Sequence, residues 1–250
     1  MAYLIEKPAE IAKDHFLLKI RPDSGSGTPA PGQFVNIRPY EGSSPLIRRP
    51  ISVFNYSDGI IELIVRLAGE GTRMICSRKQ GEIDILGPLG RPFSLPAGKR
   101  LLLAGGGVGN APLYYLSLEL KKNGNEITYI YGSRSAEYIF FEDKYAQAAD
   151  NFILMTDDGS AGSRGFTTSG AAELAASAGF DAIYTCGPIP MMQGIASITT
   201  VPQIEVSMEN YFACGIGMCS GCVVETANGL KRACVEGPVM DGKSILWQSL

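Results

Sequence analysis

The sequence predicts a multi-domain β and α/β protein: a small antiparallel β-barrel or sandwich, a parallel α/β nucleotide-binding unit, and a short loop-rich segment at the C-terminus. Three observations predict it. Residues 1–98 hold short β-rich runs divided by Gly and Pro. Residues 99–206 alternate apolar strands with helical stretches, the rhythm of a parallel sheet. Residues 207–250 show no such periodicity but contain four of the six cysteines.

In the first part, the alternating stretch Asp14–Ile20 reads as a strand. So do Phe34–Ile37, Ile51–Phe54, Ile60–Val65 and Glu82–Leu86. Pro96-Ala97-Gly98-Lys99 reads as a linker. In the second part, strands are expected at Leu101–Ala104, Ile127–Tyr131, Phe152–Met155, Ala182–Thr185 and Gln203–Val206. Helices are expected at Leu113–Lys122, Ser169–Ala178 and Pro190–Ile198. No internal repeat or low-complexity run interrupts this plan.

A chain of 250 residues with 45% hydrophobic and 19% charged residues has the composition of a soluble globular protein. Its net charge is −3 and it has no basic block, which argues against nucleic acid as a partner. No apolar run approaches the roughly 18 residues of a membrane span. The N-terminus lacks a signal-peptide plan, so a cytoplasmic location is expected. There, cysteines serve more often as metal ligands, buried apolar groups or catalytic thiols than as disulfides. The single histidine, His15, sits on a strand and reads as structural. Its isolation excludes a multi-histidine zinc site.

Cys214, Cys219, Cys222 and Cys234 follow the spacing C-x4-C-x2-C-x11-C, the plant-type ligand pattern of a [2Fe–2S] cluster. Gly215, Gly217 and Gly221 let the main chain wrap tightly and turn N–H groups toward sulfur. The rival is a zinc-stabilised binding module. That reading favours two C-x2-C knuckles, and only Cys219 and Cys222 form one.

Four further motifs point to nucleotides. Gly105-Gly106-Gly107-Val108-Gly109 joins a strand to a helix, where main-chain N–H groups can meet a pyrophosphate. It departs from the dinucleotide fingerprint, because Pro112 stands at the third glycine position counted from Gly107. Arg48-Arg49-Pro50-Ile51-Ser52 brings a guanidinium and a hydroxyl to a strand start. Gly69-Glu70-Gly71-Thr72 turns into a short helix. Thr185-Cys186-Gly187-Pro188 ends a strand on the same sheet edge as the Gly105–Gly109 turn, the edge where parallel sheets bind ligands. Each motif alone has a bland reading: a tight turn, a surface arginine, an ordinary cap, a small buried cysteine. Cys76 reads as structural.

In their order, R-P-x-S, G-x-G-T, G-G-G-x-G-x-x-P and C-G-P, these residues resemble the ferredoxin–NADP reductase superfamily over nearly the whole chain. The C-terminal cysteine run resembles one branch, the electron-transfer subunits of class 1B dihydroorotate dehydrogenases. Gly87-Pro88-Leu89-Gly90, Asp158-Gly159-Ser160, Met208-Glu209 and Glu236-Gly237-Pro238-Val239 add to the likeness. The resemblance implies FAD on the barrel, NAD on the α/β unit and a [2Fe–2S] cluster on the C-terminal segment. It implies that Arg49, Pro50, Ile51 and Ser52 contact FAD, that Ile64, Val65 and Arg66 line the flavin site, and that Gly71 and Thr72 hold the diphosphate. It places Gly105, Gly107 and Gly109 against NAD, with Cys186, Gly187 and Pro188 near the nicotinamide.

An FMN-containing catalytic subunit, assembled as a heterotetramer, is the implied donor. Electrons would run from it through the cluster and FAD to NAD⁺. Two departures stand. Asn110 replaces the family's apolar residue. The second strand ends in Tyr131-Gly132-Ser133-Arg134, with no acid for a ribose hydroxyl, so Arg134 could accept the 2′-phosphate of NADP. A reductase subunit of another complex, such as a ferredoxin reductase, hydrogenase or sulfide dehydrogenase, fits the same motifs.

Overall fold

The computed structural model describes residues 2–40 and 46–250. The N-terminal part holds β1 (Ala2–Leu4), β2 (Ala9–Ala12), β3 (His15–Arg21), β4 (Phe34–Ile37), β5 (Arg49–Ser57), β6 (Ile60–Arg66), the helix α1 (Glu70–Cys76), β7 (Gly81–Ile83) and β8 (Ile85–Leu89). The strands form one antiparallel sheet in the order β7-β1-β3-β6-β5-β4-β8, with β2 added to β3. The run expected as one strand at Glu82–Leu86 divides at Asp84. There the chain leaves β1 and begins to pair with β4. Arg48 fastens that corner with two bonds to the Asp84 carboxylate, 2.9 and 2.7 Å, and the Arg38 N–H donates to the Asp84 carbonyl at 2.9 Å. Because β7 and β8 are the two ends of the sheet, Asp84 nearly closes it into a barrel. Leu4, Leu18, Ile37, Val53, Leu63 and Val65 fill its interior.

The second part runs β9 (Arg100–Gly106), α2 (Asn110–Lys122), β10 (Glu126–Ser133), α3 (Glu142–Gln147), β11 (Asn151–Thr156), β12 (Ser163–Arg164), α4 (Thr167–Ala178), β13 (Ala182–Cys186), α5 (Ile189–Ala196) and β14 (Gln203–Ser207). Leu101, Leu102 and Leu103 are fully buried, as a central strand covered on both faces requires. The sheet order is β12-β11-β10-β9-β13-β14, all parallel, and one antiparallel strand from the C-terminal stretch follows β14. The order reverses between β9 and β13. A crevice therefore opens beyond their C-terminal ends, at Gly106 and Cys186.

The C-terminal stretch is more ordered than a loop-rich reading implies. It contains the hairpin β15 (Val223–Thr226) and β16 (Gly229–Arg232), and then β17 (Val239–Asp241), which pairs antiparallel with β14. Residues 208–238, including all four clustered cysteines, form an excursion between two adjacent strands of the α/β sheet. No described helix is long and apolar enough to cross a membrane.

Candidate functional site

The cysteine loop lies against the barrel. The Asn36 amide donates to the Cys214 carbonyl at 3.2 Å, and the rings of Phe34 and Phe212 meet at 5.0 Å. Gly215, at φ 73°, passes so close to Asn36 that a Cβ would lie 2.4 Å from its amide nitrogen. Arg232 clamps the other side: it donates to the Gly217 carbonyl at 2.9 Å and pairs with Glu236 at 2.6 Å.

The four cysteines lie close together. Cys214 interacts with Cys219, and Cys234 with both Cys222 and Cys214; the Cys234 N–H also points at the Cys222 sulfur at 3.4 Å. Burial raises the Cys214 thiol, but N–H groups of Ile216, Cys219 and Met218 outweigh it and bring it down to about 6. Burial, with Cys222 beside it, pushes Cys234 up to about 12. Among the described residues no three Cys, His, Asp or Glu side chains converge on one metal position. Four cysteine sulfurs gathered in one loop are a donor set that fits a [2Fe–2S] cluster.

Next to this loop is a cavity of about 280 Å³. Pro50, Ile51 and Ser52 of β5 form one wall, with Ile64 and Arg66 of β6. Phe34 and Phe212 separate it from the cysteine loop, and Ala111 and Pro112 of α2 close the far side. Strand alternation sends Val65 the other way, into the barrel core, so only its main chain faces this side. Arg49 lies flat across Gly71, where a Cβ would be 2.5 Å from its Nε, and its guanidinium donates to the Ile47 carbonyl. The arginine and glycine motifs therefore converge on one surface. The Thr72 hydroxyl is engaged in its own turn, accepting from Ala68 and Gly69 N–H at 2.9 and 3.1 Å. Glu209 also lines the cavity; burial raises its carboxyl, and the Arg66 charge opposes that rise.

Arg66 and Val108 are shared with a second and larger cleft of about 1210 Å³. Its walls include the Gly106–Gly107 turn, Ser133 and Arg134 after β10, Asp157 after β11, Phe166 before α4, and Pro188 and Met191 after β13. Gly107, at φ 56°, has open space where a Cβ would stand, a main-chain cradle suited to a phosphate. Gly105 and Gly109 lie beneath this wall. A Cβ on Gly105 would meet Asn110, and one on Gly109 would be 2.4 Å from the Cys186 carbonyl oxygen. Gly187 crosses Gly106 closely for the same reason.

The Cys186 thiol borders neither cavity. Burial raises its pKa well above the ordinary range, with Glu209 adding to the rise, and the residue stands at the fully buried end of β13. Asn110 is a bolt rather than a ligand contact. Buried completely, it donates to the Gly107 and Gly132 carbonyls at 2.9 and 3.0 Å and accepts from the Tyr129 hydroxyl at 3.2 Å.

Comparison with known proteins agrees with this architecture. Residues 209–246 match the iron–sulfur cluster binding domain of dihydroorotate dehydrogenase B, and residues 103–197 match an oxidoreductase NAD-binding domain. A dihydroorotate dehydrogenase B (NAD(+)) electron transfer subunit from Fusobacterium nucleatum is 38% identical, with 94% of each chain covered. The chain belongs to the dihydroorotate dehydrogenase B electron transfer subunits. A Geobacillus member of that family is 37% identical over 98% of this chain and 97% of its own. A chain of an NADH-dependent reduced ferredoxin–NADP oxidoreductase, solved in work on flavin-based electron bifurcation, superposes with a TM-score of 0.89. It is 34% identical and covers 99% of this chain and 91% of that one. A ferredoxin NADP⁺ reductase from Neisseria gonorrhoeae with bound FAD and NADP shares the fold, with a TM-score of 0.65, 19% identity, and coverage of 78% and 88%.

For an electron transfer subunit of this family, reading motifs alone misses several wall residues. Phe34, Phe212 and Glu209 at the inner cavity, and Asp157, Phe166 and Met191 at the cleft, lie outside the glycine and arginine signatures. Only the fold brings them in.

Proposed function

We propose that this chain is the electron relay of dihydroorotate dehydrogenase B. It takes electrons from an FMN-containing catalytic dihydroorotate dehydrogenase partner and delivers them to NAD⁺ in pyrimidine biosynthesis. The observation that carries this reading is continuity. The cysteine loop and the inner cavity share Phe34 and Phe212 as their partition, and the inner cavity and the cleft share Arg66 and Val108. When bound, the [2Fe–2S] cluster supplies one-electron steps, FAD couples these to two-electron steps, and NAD⁺ is the hydride acceptor.

The residues divide the work of holding these groups. Cys214, Cys219, Cys222 and Cys234 ligate the cluster. Pro50, Ile51, Ser52, Ile64 and Arg66 orient the flavin ring, with the Val65 main chain behind them. Arg49, stacked on Gly71, and the Thr72 N–H meet the FAD diphosphate. Gly107, Gly187 and Pro188 shape the seat of the nicotinamide dinucleotide. Gly105 and Gly109 hold the two strand-end turns at the spacing that seat needs. Phe34 and Phe212 keep water out from between cluster and flavin, while Met218 and Tyr211, 81% and 90% exposed, give the partner an apolar landing. A heterotetramer with the catalytic chains, located in the cytoplasm, completes this reading.

The test is co-purification with the catalytic subunit and assay of dihydroorotate-dependent NAD⁺ reduction. The pair reduces NAD⁺ and the isolated relay does not. A relay that oxidises dihydroorotate alone overturns the proposal. The similarity to the ferredoxin–NADP oxidoreductase chain supports a second reading, as the flavin subunit of such a complex. Ferredoxin-dependent turnover without any response to dihydroorotate would select it.

A further inference from the structure

The cysteine loop is mounted on a barrel residue that belongs to none of the cofactor motifs. Asn36 stands in β4, between β5 and β8, opposite Pro50 on one side and Leu86 on the other. Val35 and Ile37 fill the barrel interior, so strand alternation turns Phe34 and Asn36 outward, toward the C-terminal stretch. Phe34 meets the Phe212 ring there, and Asn36, fully buried, donates its amide to the Cys214 carbonyl at 3.2 Å. The Asn36 Oδ1 has no partner among the described residues. An unpaired buried amide oxygen costs free energy that an apolar side chain of the same shape would not. Packing alone therefore does not call for an amide at this position; its donor does. The bond lands at the start of a tight turn. Gly215 and Gly217 lie at φ 73° and 83°, and the N–H groups of Ile216, Met218 and Cys219 bond to the Cys214 sulfur. Successive N–H groups in such a turn make a concave seat for negative charge. A Cβ on Gly215 would stand 2.4 Å from the Asn36 amide nitrogen, so the turn rests directly on β4.

We propose that Asn36 is a positioning residue that sets the reduction potential of the cluster. This rests on the cysteine loop being the cluster site. The amide fixes the Cys214 peptide and draws charge from its carbonyl, and so keeps the turn's N–H groups on the Cys214 sulfur. N–H groups directed at a ligating sulfur stabilise the added electron of the reduced form, which raises the potential. The mount is stiff because β4 is paired on both sides. Pro50, the cross-strand partner of Asn36, lines the inner cavity. One strand pair thus carries both the flavin wall and the support of the first cysteine.

The experiment is a redox titration of the full chain loaded with FAD and cluster, followed by the EPR signal of the reduced cluster, with iron and sulfide counted in each sample. Asn36→Leu keeps the shape and removes the donor. Its cluster retains its iron but favours the oxidised form about tenfold, a fall of about 59 mV for one electron. Asn36→His puts Nδ1 at the same remove from the main chain as the amide nitrogen, so it restores the donor and most of the potential. An iron-replete Asn36→Leu cluster at the unaltered potential overturns the proposal. So does a fall that Asn36→His shares in full, since lost packing rather than a lost donor would then be the cause. If Asn36→Leu loses its iron, Asn36→Asp is read instead. Its carboxylate has the shape of the amide but no N–H, and a potential at or above the unaltered value overturns the proposal. An unaltered chain that takes up no iron and sulfide fails earlier: the cluster reading itself falls, and this assignment with it.

Discussion

In the cysteine loop, four candidate ligands lie within one excursion of the chain, and glycines let the main chain fold tightly between them. In the nucleotide cleft almost nothing is local. Turns after β9 and β13, the tips of β10 and β11, the start of α4 and the end of the barrel strand β6 all supply wall residues. The loop depends on which atoms are present; the cleft depends on how closely main chains pass. The two regions should therefore fail differently when altered.

The largest effect is expected in the loop. Cys222→Ser should abolish the cluster, seen as loss of its visible absorbance and iron. It should lower partner-dependent NAD⁺ reduction by about 100-fold or more, because a ligating thiolate has no local substitute. NADH-dependent ferricyanide reduction through flavin should persist. If it vanishes too, loop and cleft are not separable.

In the cleft, the expected damage follows space rather than chemistry. A methyl on Gly109 would stand 2.4 Å from the Cys186 carbonyl oxygen, a main-chain atom held by the sheet. Gly109→Ala should cost about 3 kcal/mol of stability, measured by denaturant unfolding. Gly107→Ala meets open space and has only its φ of 56° against it, so about 1 kcal/mol is expected. Equal costs at the two positions would contradict the division between a packing glycine and a cradle glycine.

Asn110→Ala removes the side-chain bonds to the Gly107 and Gly132 carbonyls and from the Tyr129 hydroxyl, while the main chain of residue 110 still meets Gly107 and Tyr129. About 2 kcal/mol should be lost, with nucleotide affinity falling because the Gly107 turn is released from β10. An unchanged affinity would show that the turn holds its shape without this bolt.

These contrasts explain what was legible in the sequence. The cysteine spacing announces itself, since only thiolates at set intervals ligate that cluster. The barrel and the parallel sheet were legible because alternation and apolar runs track burial directly. The division of Glu82–Leu86 at Asp84 was not, because one residue closing a barrel onto Arg48 leaves no periodic mark. Nor were the roles within the glycine motif, where Gly105 and Gly109 serve packing against residues far along the chain.

The smallest effect concerns His15. Its Nδ1–H donates to the Lys13 carbonyl at 2.7 Å, and burial lowers its pKa below the usual 6.5. The unfolded chain then binds a proton that the folded chain refuses. Stability should fall as pH drops below about 6.5, by at most about 1.4 kcal/mol per pH unit from this one group. His15→Gln should flatten that part of the stability profile. An unchanged slope would mean that the cleft edge tolerates a charged imidazole.

A single connected path should run from cleft to flavin to cluster. Anaerobic stopped-flow reduction by NADH, followed at flavin and cluster wavelengths, resolves its order. Flavin absorbance should bleach first and cluster absorbance follow, with only the flavin phase remaining in Cys222→Ser. Cluster bleaching that precedes the flavin, or that proceeds in chain stripped of FAD, would contradict it.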